Sequence, residues 1–252
     1  MPADPDAVEQ RLVLGLQPVR EAIKRHGAAL REVLIDQRPQ PRLDALARFA
    51  GDQGASVRRV PQSQLDRMSH GVQHQGVAAL APPLGLVPLS ALVEEPELLA
   101  LALDEIQDPQ NFGAVIRSAV GLGPAFVLWG EHASAPLTPA TFRASAGAIE
   151  HASLCRVRSL TTALDELSRA AVQVVALDAQ ADVLLADLDL KLPTVLVIGS
   201  EGKGLGRQVR KLATRAARLV DLHAVDSLNA SVAAGMALYE AQRQRQKLKR
   251  SR

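Results

Sequence analysis

Three short stretches of this 252-residue chain combine residue types that support group-transfer chemistry on a nucleotide or a related anion. The first runs Asp104-Glu-Ile-Gln-Asp108-Pro109-Gln-Asn111-Phe-Gly113-Ala114-Val-Ile-Arg117. It follows the apolar run LALAL and opens a helix. Pro109 stiffens the turn, Gly113 permits close backbone approach, and Asn111 is the expected N-cap. A helix start presents free N–H groups and attracts anions. Arg117 lies about one and a half turns in, too early to serve the helix dipole; its ordinary use would be a surface ion pair. The second stretch, Ile198-Gly199-Ser200-Glu201-Gly202-Lys203-Gly204-Leu205-Gly206, places four glycines in eight residues after a strand. That density suits a loop pressed against a ligand, although a glycine-rich turn without a ligand reads the same way. The P-loop spacing G-x-x-x-x-G-K-[ST] is absent, and G-x-G-x-x-G fails at Arg207. G-x-G-x-G matches the ordinary Rossmann methyltransferase loop literally, with Asp221 where a ribose-binding acid would fall. Such a loop follows the first strand of its sheet, however, and only 46 residues remain after Gly206. The third stretch is Asp226-Ser227-Leu228-Asn229-Ala230-Ser231-Val232-Ala233-Ala234-Gly235, where Ser227 or Asn229 is expected to cap a final helix. Arg143-Ala-Ser145-Ala146-Gly147-Ala148 has a similar small-residue character.

Other chemistries find little support. The six histidines are scattered; His70 and His74 have i, i+4 spacing, but Gly71 breaks the helix that spacing needs, so no metal is expected. The single cysteine, Cys155, has no evident base beside it, and no G-x-S-x-G elbow exists.

The elements that must hold these stretches follow from periodicity. The continuously apolar runs LALALD, AFVLWG, SLCRV, VQVVALD, TVLVIG and ARLVDL suit strands buried on both faces of a parallel sheet. Helices are expected between them at 114–121, 138–146, 161–170 and 207–213, with a long last helix from about Ser227. Strand–helix alternation puts the ligand at the carboxyl ends of the strands. Upstream, helices at 17–25, 42–49 and 62–68 and strands at 32–35, 56–60 and 76–80 make a small α/β domain over residues 1–80, with 1–10 disordered. Prolines at 82, 83, 88 and 96 predict a linker over 81–97 in which regular structure lapses. The catalytic domain would then occupy 98–252.

Composition sets the surroundings. A hydrophobic content of 47% supports a real core, and no apolar run approaches the length of a membrane span. The acidic start MPADPDAVEQ is no signal peptide and one cysteine forms no internal disulfide, so a reducing cytoplasm is expected. Aromatics are 2%, which argues against base stacking on aromatic platforms. The net charge of +2 hides an asymmetry: the last ten residues, RQRQKLKRSR, carry six cations and leave the other 242 residues at −4. Such a tail is a phosphate contact or a solvated helix end.

Taken together, the three stretches resemble the motifs of the SpoU family of RNA ribose 2′-O-methyltransferases: Asp108-Pro109-x-Asn111-x-Gly113-Ala114-x-x-Arg117, Gly199-x-Glu201-Gly202-x-Gly204 and Ser227-Leu228-Asn229-x-Ser231, in order over about 150 residues. LVLGLQPVREAIKR and HGVQHQGVAAL are similar to the extra RNA-binding domain of one subgroup, the bacterial 23S rRNA guanosine-2′-O-methyltransferases. The resemblance implies a parallel-sheet α/β domain tied into a trefoil knot, preceded by a small α/β RNA-binding domain. It implies S-adenosylmethionine held at Gly199, Leu219 and Leu228, structured RNA as substrate, and a homodimer packed through the knot. No membrane or metal is involved. Asn111, Arg117, Glu201, Ser227 and Asn229 are the implied catalytic set. Asn111 and Glu201 would position the ribose and Arg117, and Ser227 and Asn229 would orient Arg117 or the adjacent phosphate. Leu219-Val220-Asp221 stands where the family usually has Ile-Pro-Met, which bears on the adenine pocket. A tRNA enzyme of the same family and a non-catalytic RNA-binding protein are the alternatives.

Overall fold

A computed structural model describes residues 10–123, 125–132, 134 and 137–250. The disorder expected at the start and the last cation of the tail therefore lie outside the described residues. The chain divides into two compact units, one running to Gly85 and including Leu137–His151, the other comprising Leu86–Pro136 and Ala152 onward.

The first unit begins with β1 (Arg11–Leu14), α1 (Leu16–His26), β2 (Glu32–Asp36), α2 (Pro41–Asp52), β3 (Val57–Val60), α3 (Gln62–Ser69) and β4 (Val77–Ala81). Its sheet has the order β1-β4-β2-β3, with β2 and β3 parallel and the other pairings antiparallel. Sequence periodicity places each of these elements within three residues at either end except β1, an edge strand whose residues RLVL do not alternate. Alternate strand residues face opposite sides: Val13, Val33, Ile35, Val77 and Ala79 pack against α1 and α2. Leu14, Leu34 and Ala78 pack with Leu65 of α3 on the other face.

The second unit opens inside the proline-rich stretch. Regular structure lapses over 82–88 and 94–98 apart from an isolated bridge at Leu86, but Leu89–Val93 forms a short helix, α4, which buries Leu92 completely. Proline precedes this helix rather than interrupting it, so its missing donor falls where a helix start needs none. Then follow β5 (Leu99–Asp104), α5 (Pro109–Leu122) and β6 (Phe126–Gly130). The helix α6 (Pro139–Ala144) and the turn Ala148–His151 belong to the first unit. There the buried Glu150 carboxylate accepts from Arg11 Nη1 at 2.7 Å and lies 2.9 Å from His26 Nε2. A Cβ on Gly147 would sit 2.8 Å from Pro18 Cα, so only glycine allows that approach. The chain continues through β7 (Ser153–Val157), α7 (Leu160–Arg169), β8 (Gln173–Leu177), β9 (Thr194–Gly199), α8 (Arg207–Leu212), β10 (Arg215–Ala217) and α9 (Ala230–Arg250).

All six strands of this sheet are parallel, in the order β10-β8-β9-β5-β6-β7. Ala100, Ala102, Val195 and Val197 face α4, α7 and α8. The alternate residues are buried on the opposite side, where α5 and α9 pack on each other and on the sheet and Phe112 meets Trp129 edge to face at 5.3 Å. Burial on both faces explains the unbroken apolar runs. The run ARLVDL is an exception: the strand ends at Ala217, and residues 218–222 leave the sheet. No described helix is long and apolar enough to cross a membrane.

Candidate active site

Strand order places the site. β6 and β7 extend from β5 to one side, β8 and β10 lie on the other, and β9 returns between β8 and β5. The order reverses there, and the crevice beyond the carboxyl ends of the two central strands is the expected ligand position. Those ends are Asp104 and Gly199, directly paired in the parallel ladder.

After Gly199 the chain makes a tight return. Gly204 N–H donates to Ser200 O at 2.9 Å, and a Cβ on Gly199 would lie 2.3 Å from Gly204 C. Gly202 and Gly204 have φ of +80° and +65°, backbone that favours glycine. The Gly206 N–H donates to Asp104 Oδ2 at 2.8 Å and ties the loop back to β5. Burial pushes the Asp104 carboxyl above its ordinary range, with the Gly206 bond opposing the shift.

The first and third motifs meet this loop through their helix starts. Asp108, not Asn111, caps α5: its carboxylate accepts from Gln110 and Asn111 N–H at 3.1 and 3.2 Å, and Pro109 takes the first helical position. The Asp-Pro pair carried that signal in the sequence. Asn111 thereby keeps its side chain free, and its Nδ2 donates to Glu201 Oε1 at 2.9 Å. The last helix starts at Ala230 rather than Ser227, with the Asn229 Oδ1 accepting from Ser231 N–H, Ser231 Oγ and Val232 N–H. The Asn229 Nδ2 donates to Asn111 Oδ1 at 2.9 Å and to Glu201 Oε1 at 2.5 Å. Residues 90 and 118 positions apart in sequence thus close a ring of three hydrogen bonds. Both Asn229 amide donors are used, while Glu201 Oε2 makes no hydrogen bond among the described residues.

Two cavities meet at Glu201, which lines both; Asn111 lines only the smaller and Asn229 neither. The larger, about 490 Å³, is lined by Gly199, Leu219, Ser227, Leu228 and Glu201, so every expected cofactor residue borders it. The smaller, about 220 Å³, is lined by Asn111, Asp108, Ser200, Glu201 and Lys203. The buried Ser200 Oγ has no partner among the described residues. Asp221 does not line either cavity; it pairs outward with Arg218 Nε at 2.7 Å, while Val220 and Leu222 face the larger space. Arg117 is exposed, lies about one position short of a second full turn past Asn111, borders neither cavity and makes no ion pair among the described residues. Sequence reasoning missed Lys203, which borders both cavities, and the ion pair of Arg210 with Asp178 at 2.7 Å at the rim of the larger. No group of three or more His, Cys, Asp or Glu among the described residues is arranged to hold a metal ion.

Residues 98–239 match the family model of the SpoU rRNA Methylase family. Residues 12–86 match that of RNA 2′-O ribose methyltransferase substrate binding. An uncharacterized tRNA/rRNA methyltransferase of Mycobacterium ulcerans is 39% identical over 94% of this chain and 78% of its own length. The crystal structure of the SpoU methyltransferase AviRb from Streptomyces viridochromogenes in complex with the cofactor AdoMet aligns with a TM-score of 0.76 at 27% identity, over 97% of this chain and 95% of that one. An AdoMet-bound rRNA methyltransferase from Sinorhizobium meliloti aligns equally well, with a TM-score of 0.76 at 26% identity over 94% and 88% of the two chains. With the three motifs gathered around one ring and both family models matched, the chain belongs to the SpoU rRNA methylase family of RNA methyltransferases.

Proposed function

We propose that this protein transfers a methyl group from S-adenosylmethionine to the 2′-hydroxyl of a guanosine ribose in 23S rRNA. The observation that carries the reading is the Asn111–Glu201–Asn229 ring, which stands where a cofactor-sized cavity meets a smaller one. The larger cavity fits the cofactor. Ile198, Leu205 and Leu228 offer an apolar wall for an adenine ring, and the loop Gly199–Leu205 brings bare backbone against it. When bound, S-adenosylmethionine supplies an electrophilic methyl group.

The chain's own residues then orient the acceptor. Asn111 and Asn229 hold Glu201 at one oxygen, leaving Oε2 directed at substrate. A carboxylate so fixed positions the ribose hydroxyl and accepts its proton, directly or through water. Arg117 offers a planar guanidinium with five donors in a fixed fork that matches a phosphate. Its role in this reading is to grip the phosphate beside the target ribose and to stabilise developing negative charge. It lies off both cavities of its own chain, so bound RNA or a second copy must bring it to the reacting atoms. A homodimer supplies that second copy. Val232, Met236 and Tyr239 form an exposed apolar stripe along α9, 50%, 36% and 61% exposed, of the kind that marks an interface. The family's knot is part of the same reading.

The test is methyl transfer from labelled S-adenosylmethionine to 23S rRNA and to bulk tRNA, with mapping of the product. Alkali-resistant label at one guanosine of 23S rRNA supports the reading. Label in tRNA alone moves the substrate to tRNA, and cofactor binding without transfer to any RNA points to a binding protein.

A further inference from the structure

The smaller cavity beside Glu201 holds more polar groups than activation of a hydroxyl needs. One side of it is the turn 105–108, between the end of β5 and the start of α5. Within that lining Asp108 is spent on the helix cap and Asn111 on the ring with Glu201. Glu105 is not spent: it is exposed, borders the cavity, and makes no hydrogen bond or ion pair among the described residues. Its backbone has φ of +55°, which a non-glycine residue holds only at a cost. Glu105, Asp108 and Glu201 are not arranged to hold a metal ion. The Glu105 carboxylate is thus an acceptor without a donor, at the edge of the space where the methyl acceptor must lie.

At about 220 Å³ the cavity is smaller than the ~300–1,000 Å³ of a drug-sized site and suits one base. A nucleotide whose ribose lies at Glu201 carries its base alongside. An ionised carboxylate only accepts hydrogen bonds. Among the Watson–Crick edges, which unpaired RNA exposes to side chains, guanine alone presents two adjacent donors, N1–H and N2–H. Uracil flanks its one donor with two carbonyls. Adenine and cytosine each set a ring acceptor beside their amino group. Three of the four bases therefore bring an acceptor against a carboxylate, and guanine brings a matched pair. Gln107 also lines the cavity without a printed partner, but an amide carries both a donor and an acceptor and so does not make this choice.

We infer that Glu105 reads the target base, its two carboxylate oxygens accepting from N1–H and N2–H of guanine, and that this residue makes guanosine the preferred acceptor. The inference rests on the methyl-transfer reading above and supplies its base specificity from this chain's own residues.

The probe is a 23S rRNA fragment carrying guanosine, inosine, adenosine or uridine at the position that product mapping identifies; inosine differs from guanosine only in lacking the N2 amino group. Labelled methyl transfer gives kcat/KM for the full-length wild type, Glu105→Gln and Glu105→Gly. Wild type should prefer guanosine to inosine by roughly 5- to 100-fold, the range for a bidentate pair. Glu105→Gln exchanges one acceptor for a donor at equal size. It should bring the guanosine-to-inosine ratio close to one, without loss on adenosine and with S-adenosylmethionine affinity unchanged by calorimetry. Glycine fits left-handed backbone without a steric penalty, so Glu105→Gly should melt no lower than wild type while losing the same discrimination. Equal use of inosine by wild type, a ratio that neither variant changes, or a fall on all the RNAs alike would overturn the assignment to Glu105 and leave the enzymatic reading standing. Transfer by wild type to no RNA, or only to a nucleotide other than guanosine, would remove both.

Discussion

At the scale of single residues, the site depends on what each side chain is prevented from doing. Asp108 takes over the capping of α5 and so releases Asn111; Asn229 caps α9 with its oxygen and spends its nitrogen on Glu201. Arg117 has no such partner, and its chemistry is separable. Arg117→Lys keeps a charge but loses the planar fork. A phosphate clamp predicts a loss of roughly 10²–10³-fold in kcat at every pH, with S-adenosylmethionine binding intact by calorimetry. Activity recovering toward wild type at high pH would instead show a base role. Asp104 gives a pH signature. Its folded pKa is raised above the ordinary 3.8 by burial, so the native state binds its proton more tightly than the unfolded chain does. The stability it contributes is complete in acid and is lost as pH rises through the folded value. Asp104→Asn still accepts from the Gly206 N–H but cannot titrate. The melting temperature of wild type should therefore fall relative to the variant as pH rises above about 4; the opposite trend would contradict the burial argument.

Among the elements, α9 carries two roles in one helix. Its start completes the Asn111–Glu201–Asn229 ring, while its basic end includes cations that are already paired. Arg243 pairs with Glu240 at 2.7 Å. Arg245, half-buried, donates to the carbonyls of Glu97, Leu98, Leu190 and Leu192 at 2.6–2.9 Å. Gln244 beside it accepts from Leu190 N–H at 3.0 Å. Arg245 therefore ties the helix to the segments leading into β5 and β9, while Arg243 is paired within the helix itself. Arg245→Ala should cost about 1–3 kcal/mol in denaturant unfolding, because it strands carbonyls that now have a partner. Ending the chain after Gln246 should leave stability unchanged and flatten the salt dependence of RNA binding. An unaltered salt slope would make Lys247 and the residues beyond it a solvated end.

On the scale of the whole molecule, the two units are not separated by a single cut. The segment Leu137–His151 is inserted between β6 and β7 in sequence, yet it packs with residues 11–26 through Arg11, His26 and Glu150. Deleting residues 1–86 would leave Glu150 without the Arg11 guanidinium, and breaking a buried ion pair from one side costs about 3–5 kcal/mol. The shortened chain should melt earlier than the full protein, and Glu150→Gln within it should recover part of the difference. No recovery would mean that the pair contributes little. The apolar stripe of α9 makes the other prediction at this scale. Met236→Glu should convert a dimer to a monomer by analytical ultracentrifugation and abolish transfer while sparing cofactor binding. A fully active monomer would remove the partner from the mechanism.

The sequence by itself determined the element types, the parallel character of the larger sheet and the residues of all three motifs. These follow from short-range rules: strand and helix periods, proline and glycine geometry, and helix-start chemistry. β1 escaped because RLVL does not alternate, and α4 because its prolines precede the helix. Tertiary structure decided what those rules cannot reach. The closing of the ring joins residues separated by 28, 90 and 118 positions. The placement of Arg117 off both cavities and the outward pairing of Asp221 follow from helix phase and strand end in the folded chain. The burial of Arg245 against carbonyls and the packing of Leu137–His151 with the first unit depend on partners distant in the chain. Local patterning records which face of an element is apolar, but not which distant group will meet it, because that pairing is set by how the strands are ordered in the sheet.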